Sequence, residues 1–278
     1  MTYAALTLAC LGLRVRALVG VDATAAESWE LDLIRAAGAQ VALVRLDRGP
    51  VFENIEGVAG RIQRCLSESD PIPISAVPVG WGRDPGWMLV PVADELGSEW
   101  ASVPPAGAFV AVGWQGMLRT LVAGEVVRRR APVRNALIAR ANLIGLSRDD
   151  LAPDTPPEAL LHLIDPRAEL VVTEGDGGGR IAAPASGRGR RGPWRRYGAI
   201  PSDGAVDPTG AGDVFLAAIV AVRLDPSLAG RPSGRGSDVR LAAATASLAT
   251  EGPGLSGVPE LKAVLRRMRR RSIRGASA

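Results

Sequence analysis

The chain has 278 residues, 47% hydrophobic and 22% charged, which suits one large α/β domain, or a domain with a small insert, around a sizeable core. Its two cysteines, Cys10 and Cys65, lie in apolar segments and can build neither a disulfide framework nor a zinc site, so a reducing, cytoplasmic setting is expected. The net charge is only +4, Lys262 is the only lysine, and the apolar stretch 3–21 is cut by Arg14 and Arg16, which excludes a membrane span there.

In chain order, a short helix begins near Tyr3 and stops at Gly12, and a strand follows from Val15 to Val21. Glu27 to Ala37 carries apolar residues at helical spacing and ends at Gly38. Val41 to Leu46 reads as a strand, so the chain opens with the wiring of a parallel sheet. Val51 to Glu56 and Gly60 to Leu66 alternate like a hairpin, the kind of insert that forms a flap over a site. Ala108 to Trp114, Leu143 to Leu146 and Glu169 to Thr173 read as buried strands, with a helix from Pro156 to Leu163 between the last two. Arg180 to Ala183 reads as a returning arm after the glycine-rich turn 174–179. Asp238 to Thr250 is an alanine-rich helix, and Pro259 to Arg270 is an amphipathic one.

The chemistry concentrates in Asp207-Pro208-Thr209-Gly210-Ala211-Gly212-Asp213, immediately before the apolar run Val214 to Val222. Small residues leave backbone N–H groups uncovered, and a helix start points several of them one way, at the positive end of its dipole. That is an anion site. A carboxylate beside it, Asp213, is costly unless it has a task, and taking the proton from a hydroxyl that attacks a phosphoryl group is such a task. The plain alternative is a tight turn before a helix. Arginine clusters at 188–196 and 266–274; the plain reading is a solvated loop and a frayed helix end, and nucleic-acid binding is disfavoured because only Trp194 and Tyr197 are nearby.

The signature 207–213, with Val214-Phe215-Leu216-Ala217-Ala218 after it, closely resembles the C-terminal signature of ribokinase-like carbohydrate kinases of the phosphofructokinase B type. Val171 to Gly178 looks like that family's strand and turn near the nucleotide, Ala243 to Gly254 like its adenine wall, Gln115 to Arg119 like a motif of one branch, and Val51 to Asn54 like its lid strand. The resemblance implies an α/β fold with a mostly parallel central sheet flanked by helices, a core of 1–40 and 75–278, and a small β lid at 41–74. It implies an ATP-dependent kinase acting on a hydroxyl of a sugar or sugar-like polyol. Asp213 would be the base, and the amides of Gly210, Ala211 and Gly212 would hold the developing charge. Thr173, Gly175, Gly178, Thr209, Ala243 and Gly252 would contact ATP, and Asn54, Arg119 and Asp207 the acceptor. Asp150 would support Mg2+, in a patch 147–150 that replaces the family's usual Asn-x-x-Glu. A nucleoside kinase, or a non-catalytic nucleotide- or metabolite-binding relative, stays open as an alternative, and so does a homodimer formed through the lid. The family's first strand, which carries a glycine pair and usually an acceptor-binding aspartate, is expected to be missing before Tyr3.

Overall fold

The computed structural model describes residues 2–57, 60–186, 191–230 and 236–275. The elements follow in chain order. Helix α1 is Thr2–Cys10, strand β1 Arg16–Val21, helix α2 Trp29–Ala36 and strand β2 Gln40–Arg45. Next come β3 Val51–Gly57, β4 Gly60–Ser67, β5 Gly86–Leu89 and β6 Phe109–Gly113. Two short strands, β7 Arg119–Thr120 and β8 Arg128–Arg129, precede α3 Ala136–Arg140 and β9 Leu143–Ser147. Strands β10 Glu169–Thr173, β11 Gly179–Ala182 and β12 Arg195–Tyr197 are followed by α4 Ala211–Leu224, α5 Ser237–Ala249 and α6 Leu261–Gly275.

The central sheet has the order β12-β11-β10-β9-β6-β5. Strands β5, β6, β9 and β10 run parallel, and β11 and β12 return antiparallel at one edge. The parallel strands are apolar throughout, as burial on both faces demands: Val110, Val112, Ile144, Leu170 and Val172 have no more than 1% exposure. Helix α4 is hydrophobic all round for the same reason. Val214 to Val222 are all buried, packed among the sheet, α1 and α5. Each valine, leucine, isoleucine and phenylalanine among them contributes roughly 1.5–3 kcal/mol when fully buried.

Glycines set the direction of α4 over the sheet. A side chain at Gly145, midway along β9, would collide with Leu216 near the start of α4, and one at Gly86, at the start of β5, would collide with Leu224 at its end. The helix therefore runs against the strands, and its N-terminus stands over their C-terminal ends.

Strands β1 and β2 form a separate parallel pair. Among the described residues β1 pairs only with β2, and β5 only with β6, so each presents one open edge. Between these edges lies a cavity of about 560 Å³ lined by Arg16, Ala17 and Leu18 on one side and Gly86 to Val90 on the other. Arg16 bridges the gap to Asp84 at 3.1 Å.

The lid differs from the expected 41–74 at both ends. Residues 40–45 belong to the β1–β2 pair through main-chain bonding, so the hairpin proper is β3–β4. It is extended by a segment the sequence did not flag. The Cys65 N–H donates to Glu125 O, and the Gly124 N–H donates to Cys65 O. Val127 N–H donates to Gln63 O, which ties the β7–β8 hairpin to β4. Among the described residues no helix is long and apolar enough to cross a membrane.

Candidate active site

Three parallel strands deliver their following residues to one edge of the sheet, the place where open α/β sheets bind ligands. Strand β6 leads through Trp114 into the tight turn Gln115–Leu118 and Arg119. Strand β9 leads into Ser147–Asp150, and β10 into Thr173–Gly178, with Thr173 opposite Ser147 in register. The N-terminus of α4 stands over the same edge.

That helix starts at Gly210, whose φ is +76°, a left-handed entry that glycine adopts without strain, and no side chain caps it. Asp213 falls in the first turn and is half-buried. The Val214 N–H already donates to Gly210 O, and the Ala211 N–H to Pro208 O at 3.2 Å. The Ala211 amide is thus drawn into an ordinary turn. Asp207 holds the approach. Its carboxylate accepts from the Thr209 N–H at 2.9 Å and the Gly254 N–H at 3.1 Å, and its own N–H donates to Thr250 O at 3.1 Å.

Facing this turn is a charged pair, Asp150 buried and Arg119 half-buried. Asp150 is 8% exposed. One of its oxygens accepts from the Ser147 N–H at 2.8 Å in a capping box. The other accepts from Gln115 Nε2 at 3.0 Å and stands 3.9 Å from the Arg119 guanidinium. Burial raises the Asp150 pKa, against the lowering pull of Ser147, Gln115 and Arg119. Burial lowers the Arg119 pKa, and the opposing charges of Asp150 and Asp213 place all three groups in one field. The turn that carries Gln115 and Arg119 seats tightly, because a side chain at Gly116 would strike the Pro91 backbone. Arg130 pins the same turn by donating to Met117 O at 2.7 Å.

The remaining expected residues divide. Thr173 and Gly175 lie at the site edge, and Gly175 takes a positive φ of 55° in the turn after β10. Glu174 stiffens that turn by accepting from Arg180 at 2.7 Å and Arg196 at 3.1 Å. Gly178 has a structural reason to be glycine, since a side chain would run into the backbone of 197–199. Gly252 has one too: a side chain would press on the Gly257 backbone. Ala243 is buried mid-helix in α5 and borders a separate cavity of about 340 Å³ with Arg195, Arg196 and Arg240. Asn54 is exposed on β3, where it accepts from Gln63 Nε2 at 2.8 Å.

The magnesium expectation at Asp150 meets a different occupation. Both carboxylate oxygens are committed to protein donors, and no three His, Cys, Asp or Glu side chains cluster as a metal site among the described residues. The residue that sequence reasoning missed is Tyr3, whose ring lies on Gly210. The arginine run 188–196 lies partly outside the described residues. Its Arg191 is spent on the carbonyls of Asp165, Ala168 and Ala183.

No family model matches the chain, and no curated protein matches it by sequence. Solved structures do match. A pyrophosphate-dependent kinase in the ribokinase family, complexed with a pyrophosphate analog and myo-inositol, superposes with a TM-score of 0.71 at 14% identity, covering 95% of this chain and 89% of that one. The chain has the ribokinase fold. Arabidopsis thaliana ribokinase complexed with ribose and ATP gives a TM-score of 0.65 at 18% identity over 96% of this chain and 86% of that one. The nucleoside kinase of Methanocaldococcus jannaschii gives 0.64 at 14%, covering 96% and 85%.

Proposed function

We propose that the chain is a kinase that moves the terminal phosphoryl group of ATP to a hydroxyl of a sugar or sugar-like polyol. The observation that carries this reading is the convergence of the α4 N-terminus, Asp213 and Arg119 at the C-terminal ends of β6, β9 and β10. Phosphoryl transfer needs positioning and charge neutralisation more than covalent help, and these groups supply both. The acceptor oxygen bonds to the terminal phosphorus as the bond to the bridging oxygen breaks. The acceptor's proton passes to Asp213, and ADP leaves with the bridging oxygen. The amides of Gly210 and Gly212 face the developing charge at the positive end of α4. Arg119, fixed by Asp150, offers its guanidinium to the phosphoryl oxygens. Asp207 shapes the turn, Thr209, Thr173 and Gly175 flank the phosphates, and Asn54 reaches the acceptor from the lid.

The turn 173–178 and the α4 start fit a polyphosphate tail. ATP supplies the phosphoryl group when bound there. We read Asp150 as the anchor of Arg119 rather than as a direct magnesium ligand, since each of its oxygens already accepts a protein donor. Pyrophosphate is the alternative donor, because similarly folded kinases are described as pyrophosphate-dependent. We further read the lid as pairing two copies. Ile55 and Ile62 are cross-strand partners, and with Leu66 they put three apolar side chains, 40–49% exposed, on the hairpin beside the Glu53 and Arg64 pair. The free Cys10 and Cys65 fit a reducing cytoplasm.

The test is an assay of donor consumption across sugars, inositols and nucleosides, run with ATP and with pyrophosphate. Turnover of a sugar or polyol with ATP is the expected result. Turnover confined to nucleosides corrects the acceptor, and turnover confined to pyrophosphate corrects the donor. No turnover anywhere, with donor still binding, overturns the kinase reading in favour of a binding protein.

A further inference from the structure

Gly210 has a left-handed backbone that favours glycine. A second constraint acts on it. The ring of Tyr3, at the start of α1, lies across the Gly210 Cα, so that any side chain there would collide with Cγ, Cδ1 and Cδ2 of the ring. The ring thus sits in the hollow that a missing side chain leaves. The phenol end points toward the turn after α5, with the hydroxyl 4.0 Å from where a side chain at Gly254 would start. That turn is itself joined to the signature, because the Gly254 N–H donates to Asp207 at 3.1 Å. On its other side Tyr3 packs with the core formed by Leu6, Leu31, Ile34 and Leu255. Burial, then Asp207, Glu30 and Asp213, raise the phenol's pKa. The hydroxyl stays protonated at neutral pH.

A turn with two glycines in three residues has large backbone freedom, and that freedom must be removed before its amides can act as a fixed cradle. An aromatic ring removes it at little entropic cost, since it has few rotatable bonds of its own. We propose that Tyr3 is a positioning residue for phosphoryl transfer: its ring seats the Gly210 turn and fixes the direction in which α4 presents its amides and Asp213. The role rests on the kinase reading of the same site and deepens it. The ring, not the hydroxyl, carries it.

Two variants of the full chain test this, Tyr3→Phe and Tyr3→Leu. Leucine keeps the apolar packing against Leu31 and Leu255 but gives up the flat face. The Phe variant should keep the parent's kcat. The Leu variant should lose about 10–100-fold in kcat, as a shift of the cradle by an ångström implies, with donor KM changing far less. A purely structural residue would instead lower the melting temperature and leave kcat per folded molecule unchanged. Hydrogen exchange of the 207–214 amides gives a readout that needs no activity, and it should be about tenfold faster in the Leu variant than in the parent or the Phe variant. Parental kcat and parental exchange in the Leu variant overturn the proposal. Equal loss of kcat in the Phe and Leu variants overturns it too, because the hydroxyl would then be the acting group. An inactive parent refutes the kinase reading alone, and the exchange comparison still decides whether Tyr3 seats the turn.

Discussion

The Arg119 guanidinium stands 3.9 Å from the buried Asp150 carboxylate while sharing the field of Asp213 across the site. Asp150 therefore acts as the anchor of a cation, with Gln115 and the Ser147 amide completing its coordination. Arg119→Lys keeps the charge but loses the planar fork, and kcat should fall by about 10²-fold with the fold intact. Asp150→Asn keeps an acceptor for Ser147 and removes the charge that holds Arg119. Its kcat should fall about tenfold for a stability loss of roughly 1–3 kcal/mol. The apparent affinity for magnesium should stay at the parent's value in a steady-state titration. A clear drop there would restore Asp150 as a metal ligand.

Asp213 occupies the first turn of α4, where any carboxylate gains about 0.3–1 kcal/mol from the helix dipole. Asp213→Asn gives up that amount and the attraction of Asp213 for Arg119, and should leave the fold intact. Donor binding measured by calorimetry should be nearly unchanged, while turnover drops by roughly 10²–10⁴-fold. Turnover at the parental rate would remove the base assignment.

The exposed apolar side chains of the β3–β4 hairpin predict association through Ile55, Ile62 and Leu66. Ile62→Glu with Leu66→Glu should convert a dimer into a monomer in light scattering, without changing the circular dichroism spectrum. Wild-type protein that stays monomeric at all concentrations would end the pairing proposal.

Tyr197 stacks on Phe215 at 5.2 Å between ring centroids, and among the described residues its buried hydroxyl has no hydrogen-bond partner. Burial, with Glu174, raises the phenol's pKa above its usual value near 10. The native state holds this proton more tightly than the unfolded chain does. Stability is complete below about pH 10 and falls as the pH rises past it. Tyr197→Phe should be neutral or stabilising by up to about 1 kcal/mol at pH 7. It should also flatten the alkaline loss seen in melting scans between pH 9 and pH 11. A steeper alkaline loss in the variant would contradict the burial argument.

Much of the core was legible because burial on both faces leaves continuous apolar runs. Glu169–Thr173 is a strand at the very bounds its residues suggest, and the glycine-rich turn and returning arm follow it. Strand β5 escaped notice because Gly86–Leu89 is only four residues long and sits among glycine, proline and tryptophan. Strand β12 is hidden in an arginine run that reads as a solvated loop, yet its main chain pairs with β11. The stretch Pro156 to Leu163 has helical spacing but coils as a 3₁₀ turn over Pro157–His162, with proline at its start. At the site, the signature 207–213 announced itself through spacing. The partners of Asp150 did not, because a sequence shows a carboxylate without showing which donors will surround it. Tyr3 on Gly210 is a contact between residues far apart in sequence, and no local pattern encodes it.

The trench between β1 and β5 sets two rows of peptide groups facing each other, with the Arg16–Asp84 strut across them and the Arg16 guanidinium over the Trp81 ring. Those amides and carbonyls must be satisfied by water or by a visiting extended segment. The strut is partly exposed, so added salt weakens it. Solubility of this protein should therefore depend on ionic strength and on its own concentration, with chains zipping edge to edge before they melt. A short valine-rich peptide offered in excess should slow that clumping, because it would occupy the rails first.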